Sequence, residues 1–126
     1  MNREELAWAA GFVDGEGHFG LHLSQGKKSR PYGAITLNVA QKDRQVLDRF
    51  QAALGVGKVY GPYSHGAKPT KYFAFFSHNF EHTQAAIAML WPWLSLVKRL
   101  QAKQTLLAYA EYLRRPKLKM GPKGVR

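Results

Sequence analysis

Two pairs of short segments in which apolar and polar residues alternate constrain the fold more than any other feature. The first pair is 18–24 and 32–40, the second is 57–63 and 71–77, and a loop containing Gly and Pro joins each pair. Alternation with a period of two is typical of strands that bury one face, so each pair predicts an antiparallel hairpin. We expect the two hairpins to form one four-stranded antiparallel sheet with an apolar face and an open, acid-free polar face.

Helical segments precede and follow these hairpins. We predict helices at 3–14, 43–54, 78–91 and 96–113, with Asp43 and Asn79 as candidate N-caps and Gly55 as a stop. The order helix, hairpin, helix, hairpin, helix, helix predicts an α+β domain with its helices on one face of the sheet. A chain of 126 residues suits one compact domain, 1–113, followed by a flexible basic tail, 114–126.

The charge of the chain favours a polyanionic partner. Nineteen Lys and Arg residues against eight Asp and Glu residues give a net charge of +11. Two long stretches, 17–42 and 49–80, contain no acidic residue, as expected of a surface that must not repel phosphate. A chance skew in a basic protein such as a ribosomal subunit would give the same composition.

Other function classes are excluded by what the sequence lacks. The absence of cysteine excludes a disulfide scaffold, a thiolate zinc site and a cysteine nucleophile. The longest apolar stretch, 85–97, is interrupted by Pro92 and falls short of the ~20 residues of a membrane helix. The first residues lack the apolar core of a signal peptide. We therefore expect neither a membrane nor a small-molecule substrate as a partner.

The first helix is apolar on nearly all sides and carries a strip of small residues. Ala7, Ala10, Gly11 and Asp14 fall at i, i+3, i+4 and i+7, which lets a second helix approach closely. The helix ends in two carboxylates, Asp14 and Glu16, where terminal carbonyls also attract cations. One copy supplies too few oxygens to hold Mg²⁺ tightly, whereas two copies would pair their acids over the open sheet. By spacing alone, however, an acidic helix end is most often only a cap.

The segment Ala9–Gly17 resembles the nine-residue signature of LAGLIDADG homing endonucleases. Ala40–Lys42, Leu54–Gly57 and Lys98–Ala102 also look like this family, in the same order and at similar spacing. The resemblance spans about residues 4–113 and is greatest to the single-motif, homodimeric members. It implies the αββαββα fold, with the sheet lying as a saddle on DNA.

The resemblance also implies a role for each matching residue. Glu16 would be the metal-binding carboxylate, joined in the metal shell by the Gly17 carbonyl. Gln41 would position the attacking water, and Lys98 would stabilise negative charge near the scissile phosphate. The remaining matches form the implied dimer interface, Ala7, Ala10, Gly11 and Asp14, with Asp14 capping and orienting the paired helices rather than binding metal.

The implied reaction is metal-dependent hydrolysis of DNA. Two chains, each cutting one strand, would make a double-strand break in a long, near-palindromic duplex, with Mg²⁺ as the cofactor and Mn²⁺ as its substitute. Candidate base readers are the residues expected to point outward from the sheet: His22, Ser24, Thr36, Asn38, Lys58, Tyr60 and Lys71. Candidate phosphate contacts lie in the predicted loops: Lys27, Lys28, Arg30 and Lys68. Each reader is equally compatible with a phosphate contact.

Three alternatives remain open at this point. A non-catalytic LAGLIDADG-type splicing cofactor (maturase) or DNA-binding protein would keep the fold without cleavage, and a basic RNA-associated protein would need neither a dimer nor a metal. His78 and His82 have the spacing of two zinc ligands on a helix, but no third ligand is apparent. The clustered aromatic residues are most simply expected in the core: Phe73, Phe75, Phe76, Trp91 and Trp93.

Overall fold

The structure is a computed structural model that describes residues 2–24, 32–64, 66–67, 69–77 and 79–114. Its elements, in chain order, are α1 (Arg3–Glu16), β1 (Gly17–Ser24), β2 (Tyr32–Gln41), α2 (Arg44–Leu54), β3 (Lys58–Ser64), β4 (Lys71–Ser77), α3 (Phe80–Leu90), a 3₁₀ turn (Trp91–Trp93) and α4 (Leu96–Arg114). The predicted order of elements is confirmed, and no helix in the described ranges is long and apolar enough to cross a membrane.

Helix α1 is two residues longer than its sequence pattern predicts. Asn2 caps its start, with Oδ1 accepting from the Glu5 N–H at 3.1 Å. The helix runs through Asp14 and ends at Gly17, whose backbone N–H donates to the Val13 carbonyl. Glu16 is therefore the last helical residue and lies directly at the junction with β1.

The caps of α2 and α3 are those that the sequence predicts. Asp43 Oδ1 accepts from the Gln45 N–H at 2.9 Å, and Asn79 Oδ1 accepts from the His82 N–H at 2.7 Å. Gly55 ends α2 with φ at 72°, a left-handed conformation that glycine adopts without steric cost. The 3₁₀ turn at Trp91–Trp93 is not predicted by the sequence pattern; it contains Pro92 and leads into α4.

The four strands form one antiparallel sheet in the order β1-β2-β4-β3, as predicted. Strands β1 and β3 are its edges, and the two hairpins meet where β2 pairs with β4. Strand β3 is irregular between Tyr60 and Tyr63, where it carries more residues than the facing part of β4. This irregularity resembles a bulge, which bends the edge of the sheet.

The core lies between one face of the sheet and the helices. Phe19 and Phe75 from the sheet and Phe50 from α2 are buried in one core cluster, in which the rings of Phe50 and Phe75 meet edge-to-face at 4.8 Å. The buried hydroxyls of Ser77 and Thr83 lie 2.7 Å apart, and the Thr83 Oγ1 donates to a β2 carbonyl at 3.1 Å. These contacts pair both buried hydroxyls and fix α3 against the sheet.

Two aromatic residues expected in the core lie elsewhere. Phe76 pairs laterally with Asn38 and Lys58 on the open face, because residues alternate along β4 and Phe75 takes the core side. Trp91 retains 37% exposure on the 3₁₀ turn. The prediction is confirmed for Phe75, and Phe73 and Trp93 are partly buried against the core cluster.

Candidate active site and nucleic-acid interface

The end of α1 and the end of β2 bring two of the predicted catalytic residues together. Strands β1 and β2 are antiparallel, with Gly17 opposite Val39, so the beginning of β1 lies beside the end of β2. Glu16 Oε1 accepts a hydrogen bond from Gln41 Nε2 at 2.9 Å. The amide thereby holds the Glu16 carboxylate in one orientation on the protein surface.

Lys98 reaches the same place from α4. Its Nζ donates to the Gly17 carbonyl oxygen at 2.6 Å in partly buried surroundings. Helix α4 runs along strand β1, which places the first turn of α4 beside the Glu16–Gly17 junction. The ammonium group of Lys98 therefore lies against Gly17, the residue that follows Glu16. Three residues from three elements therefore converge at this junction, and their catalytic roles stay a prediction.

Asp14 connects α1 with the start of α4. Its Oδ1 accepts from the Ser95 N–H at 3.0 Å, and the Ser95 hydroxyl oxygen accepts from the Lys98 N–H at 3.2 Å. Asp14 therefore satisfies a donor just before the N-terminus of α4, where a negative charge also interacts favourably with the helix dipole. This contact fixes the helix that carries Lys98 relative to the helix that ends at Glu16.

The oxygens at this junction are of the type that a hard divalent cation prefers. They are the exposed Glu16 carboxylate and the Gly17 carbonyl, which has a second lone pair beside the one that Lys98 uses. Across the described ranges, no group of three His, Asp or Glu side chains could hold a metal ion. The residues therefore fit a cation site of which one chain supplies only a part.

Several predicted DNA-contacting residues share the open face of the sheet. Asn38 and Lys58 flank Phe76 in one row across β2, β4 and β3. Tyr60 lies in the next row opposite Ala74, and its ring packs 6.0 Å from that of Phe76. His22 lies on the same face of β1, opposite Ala34. The face therefore displays amide, ammonium, phenol and imidazole groups.

Two of the predicted base readers are placed less favourably. Thr36 retains only 9% exposure, and its Oγ1 donates to the Gly20 carbonyl at 3.4 Å. Lys71 alternates along β4 with the same face as Phe75, so its assignment to the open face is wrong. Its Nζ donates to the Ser64 hydroxyl at 3.1 Å near the end of the hairpin. Five further predicted contacts lie outside the described residues: the Ser24 side chain, Lys27, Lys28, Arg30 and Lys68.

The small-residue strip of α1 is accessible at Ala7, Gly11 and Asp14, as its pattern predicts, but not at Ala10. Ala10 is completely buried, because it lies on the same side of the helix as Leu6 and Val13 and packs in the core; its assignment to an interface is wrong. Gly11 is exposed, and a Cβ added there or at Gly15 would meet nothing within 4 Å among the residues that the structure describes. The accessible strip therefore comprises Ala7, Gly11, Asp14 and Gly15.

Sequence reasoning missed other residues near these surfaces. Gln101 contacts both Lys98 and the backbone of β1, and its place in the family-like segment Lys98–Ala102 was the signal that could have found it. Tyr63 and Tyr72 pair across the open face with ring centroids 5.4 Å apart. Leu96 and Val97, at the start of α4, retain 80% and 73% exposure, which is unusual for large aliphatic side chains so close together.

Comparisons with known proteins agree with this arrangement. The model of the family described as LAGLIDADG endonuclease matches residues 9–91, which include the Glu16 junction, Gln41 and all four strands. The chain belongs to the LAGLIDADG endonuclease family. A search of curated proteins returned no match for it.

Solved structures of homing endonucleases are similar to this LAGLIDADG endonuclease along most of its length. I-CvuI in complex with its target in the presence of 2 mM Ca is 26% identical, with a TM-score of 0.71 over 89% of this chain and 69% of that chain. I-CvuI in complex with the I-CreI target, in the presence of 2 mM Mg and with DNA not cleaved, is 25% identical, with a TM-score of 0.71 over 90% and 72%. I-TnaI is 19% identical, with a TM-score of 0.68 over 90% and 75%, and shares the fold.

Family and fold together establish the class of activity. The sequence-based identification of a LAGLIDADG homing endonuclease with an α+β, four-stranded fold is confirmed. The chain is a site-specific DNA endonuclease, and the non-catalytic splicing or DNA-binding alternative is not favoured. The division into a domain at 1–113 and a tail at 114–126 stays a prediction, since residues 115–126 lie outside the described part of the chain.

Proposed function

We propose that this LAGLIDADG endonuclease acts as a homodimer that makes a double-strand break in a long, near-palindromic duplex, with Mg²⁺ as its cofactor and Mn²⁺ as a substitute. The observation that carries the proposal is the convergence of Glu16, Gln41 and Lys98: the Gln41 amide donates to the Glu16 carboxylate at 2.9 Å, and Lys98 Nζ donates to the backbone carbonyl of the adjacent Gly17 at 2.6 Å. One copy offers one carboxylate and one carbonyl at this point, so a complete cation site needs a second copy.

The chemistry follows from the groups at the junction. When bound, the metal supplies a water of lowered pKa and stabilises the leaving oxygen. The Gln41 Nε2–H donates to Glu16, which leaves the Gln41 Oε1 to accept a hydrogen bond from the attacking water. As the water oxygen loses a proton to solvent and bonds to phosphorus, the bond to the 3′-oxygen breaks and that oxygen takes up a proton from solvent, while Lys98 offsets the negative charge on the phosphate. The products carry a 3′-hydroxyl and a 5′-phosphate.

The proposed dimer uses the exposed strip of α1 and the start of α4. Gly11 and Gly15 have no Cβ, so the α1 helix of a second copy can pack closely against them. Leu96 and Val97 adjoin this strip, since the neighbouring Ser95 is hydrogen-bonded to Asp14 of α1. Burying these two side chains against a second copy would remove their apolar surface from water.

The test begins with a target obtained by cleavage selection from a randomised duplex library. Wild-type protein is expected to cut both strands with Mg²⁺ or Mn²⁺ and neither strand with EDTA. Glu16→Gln is expected to lower the single-turnover rate at least about 1000-fold, since losing a metal ligand costs several kcal/mol in the transition state. Its DNA affinity at fixed salt should stay within about threefold of wild type.

Glu111→Gln, a change of an exposed carboxylate on α4, is the matched control and should cut like wild type. The proposal would be overturned if wild-type protein cut no member of the duplex library with any divalent metal. Loss of DNA binding in Glu16→Gln would instead show that the carboxylate has a structural role.

The dimer is tested separately by sedimentation equilibrium. Gly11→Leu places a large side chain on the proposed helix contact, and its Cβ would meet nothing within 4 Å in the described part of the chain, so we expect a folded monomer that does not make double-strand breaks. Ala52→Leu, at an exposed position of α2, is the control and should remain dimeric. A wild-type protein that sediments as a monomer on its DNA would contradict the dimer.

A further inference from the structure

The side-chain oxygen of Gln101 joins the first turn of α4 to the first strand. Gln101 Oε1 accepts from the Phe19 N–H at 2.9 Å and from Lys98 Nζ at 3.3 Å. Both contacts are partly buried, and Gln101 itself is half-buried. Because Lys98 and Gln101 are three residues apart on α4, their side chains lie on the same face of that helix.

These contacts provide hydrogen-bond partners for backbone groups at one edge of the sheet. Strand β1 is an edge strand, so the backbone groups on its outer side have no partner strand. The Gly17 carbonyl and the Phe19 N–H point to this same outer side, since they are two residues apart in the strand. Lys98 binds the first group and Gln101 binds the second. Two side chains of α4 thus replace a neighbouring strand immediately after Glu16.

We propose that Gln101 is a positioning residue for DNA cleavage: it holds the Lys98 ammonium beside the Gly17 carbonyl and fixes the strand that follows Glu16. The inference rests on the proposed function. A lysine side chain is long and flexible, and the Gly17 oxygen alone restrains its Nζ from only one direction. The Gln101 oxygen supplies a second anchor, and through Phe19 it attaches that anchor to the backbone of β1.

Three variants separate this role from a general effect on folding. Gln101→Met keeps the length of the side chain but removes the acceptor, whereas Gln101→Glu keeps an acceptor oxygen. Gln104→Met is the matched control at an exposed position of the same helix. The measurements are the single-turnover cleavage rate at saturating target DNA with Mg²⁺, and the DNA Kd at fixed salt.

Gln101→Met is expected to slow single-turnover cleavage about 10- to 100-fold, the range typical of a group that orients an active-site ligand. Its DNA Kd should stay within about twofold of wild type, since no contact with DNA is removed. Gln101→Glu should recover most of the rate, and Gln104→Met should match wild type. A wild-type rate in Gln101→Met, an equal loss in both Gln101 variants, or a loss of rate matched by a loss of DNA affinity would overturn the proposal.

Amide hydrogen exchange of Phe19 provides a readout that needs no cleavage. The Phe19 amide should exchange faster in Gln101→Met than in wild type, and at the wild-type rate in Gln101→Glu and Gln104→Met. Unchanged exchange in Gln101→Met would show that the contact itself is wrong. If wild-type protein cuts no target although this exchange pattern is found, the proposed function fails while the contact stands, so the two failures are distinguishable.

Discussion

The proposed catalytic end of the molecule, where Glu16, Gln41 and Lys98 converge, differs from two polar residues of the open sheet face, Asn38 and Lys58, in how its side chains are held. At the catalytic end, Gln41, Lys98 and Gln101 are each held by side-chain hydrogen bonds within their own chain, at 2.6 to 3.3 Å. On the open face, Asn38 and Lys58 make no side-chain hydrogen bond among the residues that the structure describes.

This difference corresponds to two requirements of a site-specific nuclease. Groups that act on a transition state gain most when their geometry is set in advance, because no reorganisation is needed during the reaction. Side chains that read bases replace their hydrogen bonds to water by hydrogen bonds to base edges. A side chain that is already hydrogen-bonded within its own protein has fewer donors and acceptors left for a base. The contrast predicts that breaking a hydrogen bond at the catalytic end changes rate, whereas truncating a side chain on the sheet changes DNA binding.

Removing the Gln41 amide is expected to give the largest effect of this kind. Gln41→Met eliminates the hydrogen bond to Glu16 and, with it, the acceptor that we propose for the attacking water. We expect single-turnover cleavage to fall about 100-fold, at the upper end for groups that orient metal ligands, with an unchanged DNA Kd. Gln45→Met, at an exposed position of α2, should have no effect. If Gln41→Met lost rate and DNA affinity equally, the proposed division between a region that controls rate and a face that controls DNA binding would be wrong.

The fold and the three converging residues were predictable because they depend on local patterns and on the family motif. Alternation defined the strands, and Asp43, Gly55 and Asn79 defined helix ends through local backbone chemistry. Family spacing then identified Glu16, Gln41 and Lys98. The convergence of these three follows from strand pairing and from α4 running along β1, both of which the structure shows.

The wrong predictions concern residues whose local sequence pattern fits either of two positions, in the core or on the surface. A strip at i, i+3, i+4 and i+7 spans enough of α1 to include Ala10, which tertiary packing then buries. Along β4, apolar residues occupy both faces, so alternation alone could not place Phe76 outside the core or Lys71 off the open face. Gln101 was missed because its partner, the Phe19 amide, is 82 positions away in sequence.

On the open face, Asn38 is expected to affect recognition rather than rate. An amide paired with a base edge gives about 1–3 kcal/mol of discrimination, or about 5- to 150-fold. In a cleavage selection, Asn38→Ala should therefore relax the preference at one or two symmetric positions of the target while the rate on the best target stays near wild type. Thr36→Ala is a useful comparison, because Thr36 is nearly buried and should leave the preference unchanged. A slower rate on every target would place Asn38 with the catalytic group.

Lys58 should have a smaller and less specific effect. Its exposed ammonium lies at the edge of the same face, where contact with a phosphate requires no defined geometry. Lys58→Ala should weaken binding of all duplexes by a similar factor and reduce the slope of log K against log salt by about one per protomer. Lys103→Ala, at an exposed position on α4, serves as the control and should leave the slope unchanged. A change in sequence preference would instead identify Lys58 as a base reader.

The smallest effect on the protein is expected from the hydrogen-bonded pair of Arg49 and Glu5, which lies away from the Glu16 junction. Arg49 donates to both carboxylate oxygens of Glu5, at 2.9 and 2.7 Å, and also covers the Trp8 ring at 3.8 Å. The hydrogen bond from Arg49 holds the pKa of Glu5 below its ordinary value of 4.5. A lowered pKa stabilises the folded state at pH values above 4.5, and this contribution disappears as the pH falls through the folded-state pKa.

Because solvent reaches this pair, its contribution to stability should be small. We expect Glu5→Gln to lower the thermal midpoint at pH 7 by at most about 2 °C, and this difference to vanish in acid and to shrink in high salt. Glu4→Gln, its exposed neighbour on α1, is the control for the loss of one acidic charge. Cleavage by Glu5→Gln should equal that of wild type, because Arg49 does not contact the Glu16 junction among the described residues. A slower cleavage rate in Glu5→Gln would mean that a hydrogen bond between α1 and α2 affects catalysis although it touches no reacting group. The part of the protein in which hydrogen bonds control the rate would then include the helices as well as the Glu16 junction.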